Sequence, residues 1–150
     1  MGNLREGGLL VAKIHQVAGR VFAKKLKEHN ISEINPAQGR ILFVLWENDG
    51  IPIRALAEKT LLEKSTLTGM LDRLEDMGYI QRVLSKEDRR EILIRRTEKD
   101  RAFQKLYYEV SEDMTRLFYQ GLSEQEIDQL ESGLRKVLDN IVSYESGHKA

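Results

Sequence analysis

Apolar residues recur every three or four positions through most of the chain, which is the spacing of one face of an α-helix. The first such segment runs from Leu9 to about Lys27. The pattern returns after Asn35-Pro36, where an asparagine N-cap precedes a proline at the first helical position, and it ends before the turn sequence Asn48-Asp49-Gly50. We predict an amphipathic helix in each segment.

A short helix, a break and a longer helix follow in the middle of the chain. Residues 54–60 are predicted as the short helix and residues 65–78 as the longer one, which ends on a glycine suited to a helix C-cap. The preceding residues 51–53 are enough only for a bend or a single strand pairing. Two helices around a tight turn, the second starting with hydroxyl residues, are typical of a helix-turn-helix.

β-Branched and aromatic residues dominate the next two runs, 79–84 and 91–97. The polar sequence SKEDRR between them has the composition of an exposed hairpin tip, and Ile92 and Ile94 are expected to face the core. A helix-turn-helix followed directly by a hairpin is a winged helix. We therefore predict a mainly α fold, a winged helix-turn-helix with a two- or three-stranded β-wing and flanking dimerisation helices.

Two long amphipathic helices are predicted in the C-terminal third. Thr97 and Asp100 resemble a capping box for the first, and Ser123 with Glu126 forms one for the second. The apolar stripes of these helices and of the first helix exceed what a small central domain can cover. We expect them to pair with a second copy in a homodimer, although packing on their own winged domain is an alternative.

Composition narrows the functional classes. With 150 residues, 41% hydrophobic and 32% charged, the chain can bury a core. It has no cysteine, which excludes a disulfide framework, a thiolate metal site and a cysteine redox sensor. No window approaches the roughly 20 apolar residues that a membrane span requires, so we expect a cytoplasmic protein.

Catalytic motifs are missing from the sequence. The three histidines are scattered, and there is no glycine-rich phosphate loop, H-E-x-x-H sequence or paired metal-ligand spacing. The carboxylates lie at solvent-facing positions of amphipathic helices. We predict a protein that is not an enzyme and has no cofactor or metal.

Charge is unevenly distributed although the net charge is zero. Residues 1–101 carry 19 Lys and Arg against 15 Asp and Glu, whereas residues 102–150 carry 5 against 9. A mildly basic body is a weak indication of contact with nucleic acid.

The start of the 65–78 helix suits contact with DNA. Ser65, Thr66 and Thr68 are short and polar, so the helix can approach the major groove and exchange hydrogen bonds with base edges. Lys64 and Arg73 would meet phosphates. Capping of the helix by Ser65 and Thr66 is an equally good explanation when the helix is considered alone.

The hairpin tip favours the DNA interpretation. Arg89 and Arg90, at the end of a two-stranded arm, can reach into a minor groove, where narrow A·T-rich stretches concentrate negative potential. Lys86 adds a further positive charge at this tip. Asp88 orients an arginine through a charge-assisted hydrogen bond, or simply forms the turn.

The sequence STLTGMLDRLEDMGYIQRVLSKEDRREILIRRTEKD resembles the signature of MarR-type winged-helix transcriptional regulators. The matching residues are Asp72-Arg73-Leu74-Glu75, Gly78, Asp88, Arg90 and Thr97-Glu98-Lys99. The resemblance implies an obligate homodimer joined through the first and last two helices, a cytoplasmic location and binding to a near-palindromic double-stranded DNA operator. It also implies, in many members, release from DNA by a small aromatic or phenolic effector.

Carried over by residue, the resemblance gives three kinds of contact. Major-groove contacts fall to Ser65, Thr66 and Thr68, a DNA-backbone contact to Arg73, and minor-groove insertion to Arg90 held by Asp88. From its place at the hairpin tip, and not from the resemblance, Arg89 is expected to contact the DNA backbone. The chain departs from the family at Gly69, where larger polar residues are common, and at Arg96 and Asp100, where leucine and glycine are common. The last two bear on the packing under the wing.

We accordingly expect a single domain, 1–150, with a helical dimerisation region at 1–34 and 98–145 and a DNA-binding region at 35–97. In the family the effector pocket lies between these regions, and its candidate lining is His15, Arg20, Arg40 and Trp46. An exposed or satisfied histidine is the simpler explanation for His15. The expected function is a DNA-binding repressor, and the alternative is a winged-helix protein-interaction module that does not touch DNA.

Overall fold

The computed structural model describes residues 4–147, and residues 1–3 and 148–150 of the expected 1–150 domain lie outside this range. The helices are α1 (Gly7–Glu28), α2 (Pro36–Glu47), α3 (Ile53–Thr60), α4 (Lys64–Asp76), α5 (Glu98–Phe118) and α6 (Glu124–Gly147). The strands are β1 (Ile51–Pro52), β2 (Ile80–Leu84) and β3 (Ile92–Arg96). One compact unit ends at Ser111 and a second begins at Glu112. The mainly α, winged fold is confirmed.

Local capping explains where several elements begin. Asn35 accepts a hydrogen bond from the Gln38 backbone N–H at 2.8 Å, and the Gln38 side chain accepts one from the Asn35 N–H at 3.0 Å. This capping box, with Pro36 at the first helical position, fixes the start of α2 where the sequence predicted it. Gly78 has φ of 85°, a conformation that favours glycine, and it turns the chain from α4 into β2.

The sheet has the strand order β1-β3-β2, and both pairings are antiparallel. In the β2–β3 hairpin the register runs from Ile80 opposite Arg96 to Leu84 opposite Ile92. The short β1 strand pairs Ile51 with Ile94, so the predicted single strand pairing at 51–53 is present. The wing is therefore three-stranded at its base and two-stranded towards its tip.

The core of the first unit is formed by α2, α3, α4, the sheet, the end of α1 and α5 up to Val110. Its fully buried apolar side chains are Leu26, Ile41, Leu42, Leu45, Leu56, Leu67, Leu71, Leu74, Ile80, Ile94 and Val110. The expectation that Ile92 joins Ile94 in this core is wrong: Ile94 is 0% exposed, but Ile92 is 39% exposed. Ile92 lies at the distal end of β3, where the hairpin has passed beyond the helices.

In the second unit, Ser123 and Glu126 form the predicted capping box, with N···O distances of 3.0 and 3.1 Å. No residue of α6 is buried. Its apolar residues Leu130, Leu134, Val137, Leu138 and Ile141 are 38–65% exposed. In the first unit, α1 buries only Leu26. Within residues 4–147, no helix is both long and apolar enough to cross a bilayer.

Candidate nucleic-acid interface

The α4 helix presents a polar face opposite its buried leucines. Leu67, Leu71 and Leu74 are fully buried and hold one side of α4 against the core. Ser65, Thr66, Thr68, Asp72 and Arg73 lie on the exposed side. The residue before the helix, Glu63, is its N-cap and makes no side-chain capping hydrogen bond. Ser65 and Thr66 follow Lys64 in the first turn of the helix, so neither of them is the N-cap residue.

Thr68 is held differently from the two preceding hydroxyl residues. Its Oγ1 donates to the Lys64 carbonyl at 2.9 Å, one helical turn back. The hydrogen is used within the helix, and the oxygen lone pairs remain free to accept a hydrogen bond. In this rotamer Thr68 acts as an acceptor towards any partner in solution.

The wing tip is organised by Ser85. Its Oγ accepts hydrogen bonds from the backbone N–H groups of Glu87 and Asp88, both at 3.2 Å, and its own N–H donates to the Glu91 carbonyl at 3.0 Å. Ser85 is itself buried. These bonds close the loop into a defined turn, so the charged side chains that it carries have fixed starting points.

Asp88 holds Arg90 at this tip. The Asp88 carboxylate accepts hydrogen bonds from the Arg90 backbone N–H at 3.0 Å and from its Nε at 3.3 Å. The Arg90 side chain is nevertheless 93% exposed. Asp88 holds this arginine through its backbone N–H and Nε, while the rest of the guanidinium extends into solvent. Such an arginine is suited to insertion into a groove. Lys86 and Arg89 are also exposed on this loop.

One groove collects residues from α3, α4 and the wing. Lys64, Thr68 and Arg90 line it, over a floor that includes Ile53, Ala57 and Ile92, and its volume is about 390 Å³. The structure thus brings together three of the residues predicted for DNA contact. The other predicted DNA-contact residues, Ser65, Thr66, Arg73, Lys86, Asp88 and Arg89, lie outside the lining of this groove.

Arg54 lines the same groove and was missed by the sequence analysis. It lies at the start of α3, its side chain is 78% exposed, and its Nη2 forms an ion pair with Glu91 at 2.8 Å. Glu91 is 37 residues away in the chain, so no local pattern points to the pairing. Arg54 adds a third cation, after Lys64 and Arg90, around one groove.

Arg82 joins the wing to α4 and was also missed. Its Nη1 donates to Glu75 and its Nη2 to Asp72, both at 2.8 Å, and its backbone N–H donates to Glu75 at 3.0 Å. The backbone and side-chain hydrogen bonds from Arg82 lower the pKa of the Glu75 carboxyl below its ordinary value. Two acidic residues of the DRLE motif therefore act as anchors for β2.

A second cavity, of about 370 Å³, lies among α2, α3 and α5 within the first unit. Its polar lining residues are Arg40, Lys59, Thr60, Tyr107 and Ser111, and Ala37, Phe43, Val44 and Leu62 supply the apolar part. Burial raises the pKa of Tyr107 to about 12. Of the four effector candidates, only Arg40 lines this cavity. His15 and Arg20 are exposed on α1, so the four do not gather in one place.

Trp46, the fourth candidate, is not among the lining residues of this cavity, and its indole N–H binds Asp100. Its Nε1 donates to both carboxylate oxygens of Asp100, each at 3.0 Å. Asp100 also accepts a hydrogen bond from Arg96 Nε at 2.6 Å, so two of the three departures from the family pattern, Arg96 and Asp100, are partners. The predicted capping box at Thr97 is only half formed: the Asp100 N–H donates to Thr97 Oγ1 at 3.3 Å, but the Asp100 carboxylate serves Trp46 and Arg96.

Within residues 4–147, no group of three His, Cys, Asp or Glu side chains is placed to hold a metal ion.

Comparison with known proteins places the chain in a family. The MarR family model matches residues 34–92, which include α2, α3, α4, β2 and the wing tip. The organic hydroperoxide resistance transcriptional regulator of Bacillus subtilis is 32% identical over 100 residues, covering 67% of this chain and 67% of that protein. The chain belongs to the MarR family. It is a DNA-binding, winged-helix transcriptional regulator.

Other MarR-type relatives match over different lengths. The regulator SarZ of Staphylococcus haemolyticus is 29% identical over 119 residues, 79% of this chain and 78% of that protein. The regulator TtmR of Methylorubrum extorquens is 34% identical over 83 residues, and the chain covers 41% of its length.

Among solved MarR-family structures, a mutant of E. coli MarR complexed with operator DNA has a TM-score of 0.79 and 25% identity, covering 91% of this chain and 99% of that one. Bordetella bronchiseptica BpsR, whose DNA binding is regulated by 6-hydroxynicotinic acid, has a TM-score of 0.82 at 22% identity. The structural alignment covers 92% of this chain and 99% of BpsR, and at this identity it shows a shared fold.

Proposed function

We propose that this MarR-family chain is a homodimeric repressor that binds a near-palindromic DNA operator and is released by a small aromatic or phenolic acid. The observation that carries the DNA part is the groove lined by Lys64, Thr68 and Arg90. It joins the start of α4, suited to the major groove, to an extended arginine on the wing, suited to the adjacent minor groove. Ser65, Thr66, Arg73, Lys86 and Arg89 add contacts on either side.

The homodimer is supported by apolar surface on α1 and α6. Leu10, Ile14 and Val17 of α1 are 44–47% exposed, although they follow one helical stripe. α6 has the same property along most of its length. Monomeric proteins rarely expose such continuous apolar stripes, and a second copy covers them symmetrically. A two-fold dimer places two α4 helices against two half-sites, which is why the operator is expected to be near-palindromic.

The effector proposal rests on the α2–α3–α5 cavity. Arg40 and Lys59 supply positive charge for a carboxylate, and Phe43 and Tyr107 supply rings for an aromatic body. Peroxide sensing through a thiol is excluded, because the chain has no cysteine. A cytoplasmic location, where operator DNA is found, stays a prediction.

Salt dependence of binding to duplex DNA tests the central claim. Counterion release makes the logarithm of affinity fall linearly with the logarithm of salt concentration. We expect a steep slope for wild-type protein on generic duplex DNA, and a further gain in affinity on fragments selected from genomic DNA. If the protein does not bind duplex DNA even at low salt, the result would support the alternative, a protein-interaction module.

A further inference from the structure

The Asp100 carboxylate is the most enclosed charged group in the described part of the chain. Its side chain is 0% exposed. Trp46 reaches it from α2, at 3.0 Å, and Arg96 reaches it from the end of β3, at 2.6 Å. A buried carboxylate is tolerated only when such partners satisfy it. Asp100 therefore ties one helix and one strand to the start of α5.

Arg96 is held at three points. Besides Asp100, its Nη2 donates to Gln104 Oε1 at 2.5 Å, and its backbone N–H donates to Asp49 at 2.9 Å. Its side chain is 11% exposed, so it faces the interior and not the DNA side. Arg96 is the last residue of β3 and pairs with Ile80, the first residue of β2. The base of both wing strands is fixed at this position.

The direction of the wing is set at its base. A strand rises about 3.4 Å per residue, so the tip lies roughly 15 Å from Arg96, and a change of about 10° at the base moves the tip by about 2.5 Å. Such a shift takes Arg90 out of register with a groove that α4 reaches at the same time. Contacts to a groove require side-chain positions that are fixed to within less than an ångström, and such positions need rigid support of this kind.

We propose that Asp100 is a positioning residue for DNA binding: through Arg96 and Trp46 it fixes the angle at which the wing leaves the body. The proposal rests on the DNA-binding function proposed above. Neither Asp100 nor Arg96 needs to touch DNA. The pair acts by keeping Arg90 and α4 in one fixed arrangement.

The test replaces the pair by apolar residues of similar size, in the double variant Arg96→Met/Asp100→Leu. Net charge is unchanged, and such replacements of buried ion pairs commonly retain stability. We expect a melting temperature near that of wild type, an affinity for duplex DNA lowered by roughly tenfold, the equivalent of one lost groove contact, and a salt slope reduced by about one, because Arg90 no longer reaches the groove. Emission from Trp46, the single tryptophan, reports that its contact with Asp100 is gone.

Two controls separate the outcomes. Arg95→Gln removes a charge from the neighbouring, exposed position, and should leave Trp46 emission unchanged. Asp100→Asn keeps one acceptor oxygen for Trp46 but weakens the hold on Arg96, and we expect it to lower DNA affinity at temperatures where circular dichroism shows it folded. A folded double variant that binds as tightly as wild type overturns the proposal. Wild-type protein that binds no duplex contradicts the proposed function instead.

Discussion

Asp88 accepts hydrogen bonds from both the backbone N–H and the Nε of Arg90, at 3.0 and 3.3 Å. The contact uses the base of the guanidinium, so the two Nη groups stay available as donors. The carboxylate therefore restricts the rotation of an arginine side chain that is otherwise almost fully exposed.

Replacing Arg90 should weaken DNA binding irrespective of sequence. We expect Arg90→Ala to lower affinity on the order of tenfold in A·T-flanked sites and to reduce the salt slope by about one, because one cation leaves the groove. Thr68→Ala should instead relax base preference with little change in slope. Binding titrations at several salt concentrations distinguish the two variants. Identical behaviour of both would contradict the roles assigned to Arg90 and Thr68. Asp88→Asn, which keeps an acceptor, serves as the milder control.

The Arg82–Glu75 contact predicts a specific loss of stability in acid. The pKa of Glu75 in the folded protein lies below its ordinary value of 4.5, so folding favours the ionised carboxylate. The stabilisation is fully present above the unfolded pKa and is lost as the pH falls through the lowered folded pKa. Denaturation measured from pH 7 down to about 3 should therefore show a smaller pH dependence in Glu75→Gln than in wild type.

Asp76→Asn is the matched control for Glu75, since Asp76 is adjacent and exposed. Hydrogen bonds from Tyr79 and Lys99 also lower the pKa of Glu33, and those from Ser123 lower that of Glu126. The pKa values of these carboxyl groups are lowered as well, so Glu75→Gln should remove part of the pH dependence and not all of it. A curve that matches that of wild type would contradict the assignment.

Gly39 is predicted to resist the substitution that usually stabilises a helix. A methyl group there would overlap the hydroxyl end of Tyr107, whereas one at Gly69 would meet nothing within 4 Å. We expect Gly39→Ala to lower the free energy of unfolding by about 1–3 kcal/mol, and Gly69→Ala to raise it by about 0.5–1 kcal/mol. Urea denaturation measures both. If Tyr107→Leu fails to reduce the cost of Gly39→Ala, the explanation by overlap is incorrect.

Occupation of the α2–α3–α5 cavity should stabilise the protein and release it from DNA together. With 2-hydroxybenzoate as the probe, we expect a higher melting temperature and a weaker affinity for the operator. Arg40→Ala and Lys59→Ala should abolish both effects, and His15→Ala, on an exposed part of α1, should abolish neither. Stabilisation without any change in operator affinity would leave a binding site but no regulation.

Covering α6 by a second copy makes its apolar residues essential for assembly. Ile141→Glu should shift the protein towards monomer at micromolar concentration, because it places a charge on a 65% exposed apolar side chain that the dimer would bury. Ser143→Glu introduces the same charge at an exposed polar position and should leave assembly unchanged. Sedimentation velocity measures both. A wild-type monomer at these concentrations would exclude the homodimer.

Short sequence motifs predicted the helix boundaries well, because a helix cap depends only on residues within a few positions of the boundary. The start of α2 follows from Asn35 and Pro36, and Gly78 marks the end of α4, each through bonds or dihedral angles within a few residues. The wing and its tip followed from strand composition and charge. The contact between Asp88 and Arg90 could be predicted for the same reason, since the two are separated by one residue.

Long-range pairing could not be predicted from spacing. Asp100 lies three residues after Thr97, as a capping residue would, yet its carboxylate is taken by Trp46, 54 residues away. The ion pair between Arg54 and Glu91, which are 37 residues apart, could not be predicted from spacing either. The hydrogen bonds from Trp46 to Asp100 could not be predicted either, because helical periodicity shows which face a ring occupies but not which acceptor its N–H finds.

The second residue of β1 is Pro52, and the chain turns into α3 immediately after it. Proline has no N–H to donate, and two residues offer too little backbone to template another strand. This edge of the sheet is therefore closed to strand addition. Copies of the chain at high concentration are protected, along β1, from joining edge to edge into aggregates.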